Sequence, residues 1–181
     1  MTKETILIGS DPSGFTLKEA VKAHLVERGF EVADVGTQSL EEPVMYYDVG
    51  ERFGRAISEG TYQRGIVICG TGMGVNLMVN RFPGVLCGLC ESVYAVSRAR
   101  AINNINVLAM GGFFQAPELG IAMADAFLDT QWLQGLDEET QQVVKNGYAR
   151  TKAVEAQLRK KKHAVPTGPR SRTDRSGGLL L

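Results

Sequence analysis

A chain of 181 residues and 19.6 kDa is long enough for one domain with its own apolar core, so a disulfide framework or a structural metal is not needed for stability. Its 44% hydrophobic and 22% charged residues are typical of a folded globular protein and exclude disorder over the whole length. Twenty basic residues balance twenty acidic ones, so no global positive field attracts nucleic acid or an anionic membrane, and an anionic ligand must be bound locally.

The cysteines and the first residues indicate the compartment. Three cysteines are a sparse and odd set, and Cys87 and Cys90 form Cys-x-x-Cys without the second pair that a zinc site requires, so we expect no metal site. Residues 1–9 lead directly into a strand-like run rather than a secretion signal, and no segment approaches the ~18 apolar residues of a membrane span. The sequence therefore predicts a protein of the reducing cytoplasm, outside the membrane.

Short β-branched runs alternate with amphipathic stretches from residue 5 onward. The strand-like runs are 5–8, 31–35, 66–68, 85–89 and 106–110, and the helix-like runs are 15–28, 49–59, 94–102 and 118–128. This alternation requires right-handed crossovers between parallel strands. We therefore predict a doubly wound, Rossmann-like α/β fold, in which a five-stranded parallel sheet is covered by helices on both faces.

The C-terminal part of the chain differs in charge from the rest. Residues 1–144 contain 10 Lys or Arg and 18 Asp or Glu, whereas residues 145–181 contain 10 and 2. Apolar residues recur at roughly helical spacing from 138 to 162, and since no strand follows, we expect this helix to pack on another subunit. The run from 163 is aperiodic, and a solvated tail is favoured over a nucleic-acid-binding arm. The predicted parts are a domain at 1–136, a dimerisation helix at 137–162 and a flexible tail at 163–181.

Ligands of doubly wound sheets bind at the carboxyl ends of the strands, where one loop is especially informative. Gly70, Gly72 and Gly74 follow Cys69 at alternate positions and open a helix, so backbone N–H groups and the helix dipole favour negative charge there. By itself this pattern is equally typical of a tight turn without a ligand. The cysteine favours a site, because amide dipoles around Cys69 would favour the thiolate and make it a usable base or nucleophile.

Two common phosphate-binding motifs do not occur in the sequence. The first strand is followed by Gly-Ser-Asp-Pro-Ser-Gly at 9–14, which is not GxGxxG, and GxxxxGK[ST] is absent. Asp11 in this segment has two interpretations that the sequence alone leaves open. It is either the N-cap of a helix that begins near Pro12 or a carboxylate that binds substrate hydroxyls.

Five segments between residues 3 and 135 occur in an order that indicates a family. They read IGSDPSGFxLK, EVxDVGT, GIVICGTGMGVN, NRFPGV and NNINVLAMGG. The chain resembles the type B ribose-5-phosphate isomerases and the related galactose-6-phosphate isomerase subunits. The resemblance implies reversible aldose–ketose isomerisation of a phosphorylated sugar through an enediolate, without a metal or an organic cofactor. It also implies a homodimer, or in some members a tetramer.

The resemblance implies roles for individual residues. Cys69 matches the base that moves a proton between C1 and C2, and Met73 lines the loop where a second branch of the family has a glutamate base. Thr71 matches an assisting hydroxyl, while the amides from Gly70 to Gly74 would stabilise the enediolate oxygen. The residues that match substrate contacts are Asp11, Tyr46 and Asn103. The candidate phosphate ligands are Arg100 and Arg150. The family holds its phosphate partly with a basic C-terminal segment of the neighbouring subunit. The cations available in this chain are Arg98, Arg100, Lys145, Arg150 and Lys152.

Three departures from the family pattern concern the substrate. Pro12 and Ile102 occupy positions where most relatives have histidines, one of them the proposed opener of the furanose ring, and Phe113 replaces the usual arginine. A four-carbon sugar phosphate cannot close a furanose ring through its phosphorylated terminal oxygen, so it needs no acid to open a ring. The sequence therefore favours a short, open-chain substrate over ribose 5-phosphate.

Two other functions are alternatives. A binding subunit, or one that depends on an unlike partner, would keep this fold without turnover, but a thiol within a complete glycine loop favours an active enzyme. A redox role for Cys87 and Cys90 is disfavoured, because a reactive dithiol is expected at a helix N-terminus and not on a strand.

Overall fold

The computed structural model describes residues 4–163, with side chains described as far as residue 160. Strands and helices alternate as far as the last strand, which two helices follow. The strands are β1 (Thr5–Ser10), β2 (Glu31–Asp34), β3 (Gly65–Cys69), β4 (Cys87–Leu89) and β5 (Val107–Gly111). The α-helices are α1 (Phe15–Glu27), α2 (Tyr46–Ser58), α3 (Met73–Val79), α4 (Val93–Asn103), α5 (Pro117–Asp129) and α6 (Glu138–His163), and a 3₁₀ turn spans Pro12–Gly14.

The five strands form one parallel sheet in the order β2-β1-β3-β5-β4. Its central strands are buried on both faces, as expected when helices cover both sides of a parallel sheet. Helices α1, α4 and α5 pack on one face, and α2 and α3 pack on the other. The predicted doubly wound α/β fold is confirmed, and the carboxyl ends of the strands meet at one edge.

The predicted elements differ from the structure mainly at their ends. The fourth strand begins at Cys87 rather than at residue 85, and the amide of Leu86 just before it donates to Oδ1 of Asn106 at 2.8 Å. Helix α2 begins at Tyr46, three residues earlier than predicted, directly after the extended backbone of Met45.

Helix α6 confirms the predicted C-terminal helix but has few contacts with the domain. The ring of Tyr148 packs against Trp132 with centroids 5.1 Å apart, and Glu155 accepts a hydrogen bond of 2.7 Å from the amide of Gly84. Val143 and Leu158 are largely exposed. Packing of this helix on a partner stays a prediction, and the predicted tail falls almost entirely outside the described residues. Between residues 4 and 163, no helix is long and apolar enough to cross a membrane.

A fully buried lysine fixes the segment that follows β2. Nζ of Lys18 lies 2.6 Å from both Oδ2 of Asp34 and the carbonyl oxygen of Thr37, and Lys22 also contacts this carboxylate, at 2.9 Å. Burial alone would raise the pKa of Asp34, but the hydrogen bonds from the two lysines outweigh it, so the pKa is lowered. The hydroxyl of Thr37 bonds the backbone of Val44 in turn, and this network therefore holds the chain that leads into α2.

We expect Lys18→Met to lower the free energy of unfolding at pH 7 by about 3–5 kcal/mol, because it removes one partner of a buried ion pair. Lys22→Met is the matched control, since Lys22 bonds the same carboxylate from a more exposed position and should cost about 1 kcal/mol or less. Urea unfolding followed by circular dichroism measures both. Equal losses in the two variants would contradict the role assigned to Lys18.

The same variant has a defined pH dependence. Because the folded-state pKa of Asp34 lies below its unfolded value of about 3.9, the ion pair contributes fully above that pH and is lost as the pH falls through the lowered value. The difference in unfolding free energy between wild type and Lys18→Met should therefore narrow between pH 5 and pH 3. A difference that stays constant over this range would exclude the Asp34 carboxylate as its source.

Candidate active site

Three loops meet at the carboxyl edge of the sheet, namely 11–14 after β1, 69–74 after β3 and 111–114 after β5. The amide of Asp11 donates to the carbonyl of Ile68 at 3.3 Å, which joins the first loop to the end of β3. Two backbone hydrogen bonds, of 2.8 and 2.9 Å, join the third loop to the second. The loop 69–74 is therefore held between the other two.

Cys69 is the last residue of β3, as predicted, and its side chain is buried. Its Sγ accepts a hydrogen bond of 3.1 Å from the amide of Gly72. The sulfur atom, which a base or a nucleophile would use, therefore lies inside the turn and faces its backbone. The next hydroxyl, of Thr71, accepts from the amide of Met73 at 3.3 Å, so the loop is a closed turn around the thiol.

The position of the amide that contacts Cys69 requires glycine at residue 72. Gly72 has a φ of +74°, which side chains rarely adopt. A Cβ here would lie 2.5 Å from the side chain of Leu89 and 2.8 Å from the carbonyl carbon of Met110. Glycine is therefore required at residue 72 for the turn to form. The same turn brings the amide that contacts the thiol of Cys69, so the turn and the thiol contact are not alternatives.

Asp11 is the N-cap of the 3₁₀ turn, since Oδ1 accepts a hydrogen bond of 3.1 Å from the amide of Gly14. This confirms one of its two interpretations. The side chain is nearly buried, and burial raises the pKa of Asp11 even though the amides of Gly14 and Ser13 act in the opposite direction. Binding of substrate hydroxyls by the same carboxylate stays a prediction.

Exposed apolar side chains border the glycine loop. A Cβ on Gly74 would fall 2.9 Å from Cδ2 of Tyr46, so the tyrosine ring packs on the loop. The ring of Phe113 packs in the same way on Gly70. Tyr46, Met73 and Phe113 are 41%, 51% and 68% exposed, so they form an apolar rim that is open on one side.

The structure does not bring Asn103 to Cys69 within one chain. Helix α4 runs opposite to the strands and ends at Asn103, so this residue lies at the amino edge of the sheet, about 15 Å from the thiol loop by strand length. It lines a groove of about 810 Å³ along the edge strand β4, together with Arg98 and Tyr148. Arg150 is exposed on α6, between Tyr148 and Thr151, which line the groove. The predicted site residues therefore form two separate groups.

Arg100 belongs to neither group, and its interpretation as a phosphate ligand is corrected. Its guanidinium is buried, donates to the carbonyl of Ile105 and to Oδ1 of Asn104, and lies 5.7 Å from the ring centroid of Phe127. Val96 and Arg100 are four residues apart on α4, so both side chains lie on the face of the helix that packs on the core. It therefore stabilises the packing of α4 and α5.

Cys87 and Cys90 lie on opposite faces of the sheet. Cys87 packs with the core under α2 and α3, whereas Cys90 belongs to the core under α1, α4 and α5. Burial raises the pKa of both thiols. This placement agrees with the prediction that the pair is structural, because side chains on opposite faces of a strand do not form a disulfide.

The loops at the carboxyl edge contain acidic residues and no lysine or arginine. In the segments 9–14, 36–47, 69–76, 90–92 and 111–114, the charged residues are Asp11, Glu41, Glu42 and Glu91. One chain therefore offers a bound anion only amides and neutral groups at this edge. Among residues 4–163, no group of three or more His, Cys, Asp or Glu side chains is arranged to hold a metal ion.

The sequence interpretation missed the contribution of Lys18 to the site. This lysine fixes Thr37 and hence the segment 37–45, which delivers Tyr46 to the glycine loop. A signal was present, because Lys18 stands between Gly14 and Val21 on the apolar stripe of α1, where a charged residue needs a buried partner.

Comparisons with known proteins relate the sequence and the fold to one family. A sequence model of the ribose/galactose isomerase family matches residues 6–146. A 4-deoxy-4-sulfo-D-erythrose isomerase from Clostridium sp. (strain MSTE9) is 42% identical over 156 residues, which are 86% of this chain and 98% of that protein. Ribose-5-phosphate isomerase B from Escherichia coli (strain K12) is 38% identical over 134 residues, 74% and 89% of the two chains. The structure of Clostridium thermocellum ribose-5-phosphate isomerase B superposes with a TM-score of 0.76 at 32% identity, covering 85% of this chain and 99% of that one.

Proposed function

Because the chain belongs to the ribose/galactose isomerase family and is therefore a sugar-phosphate isomerase, we propose that it interconverts a four-carbon aldose and ketose with Cys69 as the base. The observation that carries this proposal is the thiol at the end of β3, closed into a loop of amides by the hydrogen bond from Gly72. Met73 has no group that accepts a proton, so Cys69 is the base that the loop offers.

The reaction needs only the movement of protons. The Cys69 thiolate removes the proton from C2 of the open-chain aldose, and the C1 carbonyl electrons move onto O1 to form the enediolate. The thiol then returns the proton to C1, while the hydroxyl proton of O2 passes to O1 and the C2 carbonyl forms. The product is the ketose, and no oxidant, reductant or cofactor is consumed.

The loop residues supply the groups that this intermediate needs. Negative charge develops on the enediolate oxygens, and fixed amides between Gly70 and Gly74 stabilise such charge without reorganisation, an effect often worth several kcal/mol. The hydroxyl of Thr71 lies on the same turn. Asp11 contributes a buried carboxyl with a raised pKa at the neighbouring strand end, where it binds substrate hydroxyls.

We further propose that a second copy of the chain completes the site. The carboxyl edge carries Glu41, Glu42 and Glu91 but no cation. Arg98 lines the β4 groove with Asn103, and Arg150 is exposed on α6. In a two-fold dimer, the β4 groove of each copy would face the glycine loop of the other copy. This arrangement pairs the acidic carboxyl edge with the arginines, and it brings the side-chain amide of Asn103 to the thiol. The exposed apolar residues of α6 would be covered in such a dimer.

The proposed substrate has four carbons and a terminal anion. Pro12 and Ile102 replace histidines usual in the family, and Ile102 takes the position of the proposed ring opener. A four-carbon sugar with a blocked terminal position has no furanose form to open. A sulfonate carries one negative charge at pH 7, whereas a phosphate monoester carries up to two. The edge of the sheet around the glycine loop is acidic and repels the lower charge of a sulfonate less. We therefore propose the sulfonate as the preferred substrate, in line with the relative named 4-deoxy-4-sulfo-D-erythrose isomerase.

Turnover assays of the purified protein alone test this proposal, with 4-deoxy-4-sulfo-D-erythrose, D-erythrose 4-phosphate and D-ribose 5-phosphate as substrates. We expect kcat/KM for either four-carbon sugar to exceed that for ribose 5-phosphate by at least about tenfold, or roughly 1.4 kcal/mol, with the sulfonate highest. Equal or better activity on ribose 5-phosphate would contradict the short substrate. Activity on any of the three would exclude the requirement for an unlike partner.

A further inference from the structure

The ring of Phe113 lies directly on the first glycine after the thiol. A Cβ on Gly70 would fall 2.4 Å from Cε2 and 2.7 Å from Cζ of this ring, so the ring edge takes the space of a side chain at residue 70. Gly70 is buried, while Phe113 is 68% exposed. One edge of the ring thus covers the loop, and the remainder is open to solvent beside the candidate active site.

The backbone holds this ring at a fixed place relative to Cys69. The amide of Phe113 donates to the carbonyl of Gly70 at 2.9 Å, and the amide of Gly112 donates to the carbonyl of Cys69 at 2.8 Å. Phe113 is therefore not on a free loop, and shortening its side chain leaves these hydrogen bonds in place. The next residue, Phe114, is similarly exposed, but its ring packs near Gly111 at the end of β5 and not on Gly70.

We propose that Phe113 is a specificity-determining residue whose ring limits the length of the sugar. This inference rests on the proposed function, because the reacting carbons must lie between the thiol and the amides of 70–74. The rest of the sugar then leaves the loop beside Gly70, where the ring occupies space. A longer sugar meets an apolar surface there, and an added hydroxyl would be desolvated without a hydrogen-bond partner.

Protection of Cys69 from iodoacetamide measures binding independently of turnover. The extent of modification of the Cys69 peptide is determined by mass spectrometry at increasing concentrations of D-erythrose 4-phosphate or D-ribose 5-phosphate. The variants are Phe113→Ala, which removes the ring, Phe113→Leu, which keeps apolar bulk, and Phe114→Ala as the matched control. Isomerase rates with both sugars are measured on the same preparations, and circular dichroism checks the fold of each variant.

In the wild type, erythrose 4-phosphate should half-protect Cys69 at a concentration at least about tenfold lower than ribose 5-phosphate does. Phe113→Ala should reduce this ratio to about threefold or less through tighter binding of ribose 5-phosphate, whereas Phe113→Leu should keep most of it. Phe114→Ala should keep the wild-type ratio within twofold. A ratio unchanged in Phe113→Ala, or no protection of the wild type by either sugar, would overturn the inference.

The two proposals fail in different ways in this experiment. If the wild type and Phe113→Ala show the expected protection ratios but neither the wild type nor any variant isomerises these two sugars or 4-deoxy-4-sulfo-D-erythrose, the proposed four-carbon isomerisation is wrong and the role of Phe113 is supported. If the wild type isomerises erythrose 4-phosphate but Phe113→Ala keeps the wild-type protection ratio, the function is supported and the role of Phe113 is wrong.

Discussion

Mixing Cys69→Ala chains with Asn103→Ala chains should restore activity that neither variant has alone. Within one chain these residues lie at opposite edges of the sheet, so a site that uses both must take them from two copies. Each variant dimer has a lesion in both of its sites. A mixed dimer has both lesions in one site and none in the other. Random assembly therefore predicts about a quarter of the wild-type activity, since half of the dimers are mixed and each has one intact site.

The matched control is a mixture of Cys69→Ala with Asp11→Ala chains. These two residues belong to the same loop cluster, so every site in a mixed dimer contains one of the two lesions. This mixture should stay as inactive as its components. Two chains carrying different affinity tags, coexpressed and purified through both tags, give the mixed dimer directly. The shared site would be contradicted if the first mixture gained no activity, or if Asn103→Ala alone kept wild-type turnover.

The fold could be predicted because each strand and helix has its own signal in the sequence. Continuous runs such as residues 66–68 indicate strands buried on both faces, and α1 follows the helical spacing of Leu17, Val21 and Leu25. The start of β4 could not be predicted in this way. The amide of Leu86, just before the strand, bonds the side chain of Asn106, twenty residues away. Contacts between distant residues are invisible to local periodicity.

The residues of the candidate site that lie in one segment could be predicted from the sequence. The placement of residues from distant segments could not. Cys69 and Gly72 are three residues apart, so the sequence alone predicts that backbone amides surround the thiol. Arg100 has the same charge as Arg150, and only the packing of α4 shows that it faces the protein interior. The placement of Asn103 at the other edge of the sheet likewise follows from the direction of α4, which depends on the parallel topology.

Cys69→Ala should lower kcat by about a thousandfold or more, because loss of a general base typically costs on the order of 10² to 10⁴ and alanine offers no replacement. The fold should be unaffected, since the glycine loop keeps its backbone hydrogen bonds to residues 112 and 113. Cys87→Ala is the matched control. It removes a half-buried thiol at the start of β4 and should stay within threefold of wild-type turnover.

The central claim is that the Cys69 thiolate moves a carbon-bound proton through an enediolate. Proton NMR of an aldose–ketose mixture kept at equilibrium in D₂O tests it most directly. The wild type and Cys87→Ala should replace the hydrogen at C2 of the aldose, and one of the two hydrogens at C1 of the ketose, with deuterium over many turnovers. Cys69→Ala should do so at least about a thousandfold more slowly. Interconversion by the wild type with the original hydrogen retained, or exchange by Cys69→Ala within threefold of wild type, would contradict the claim.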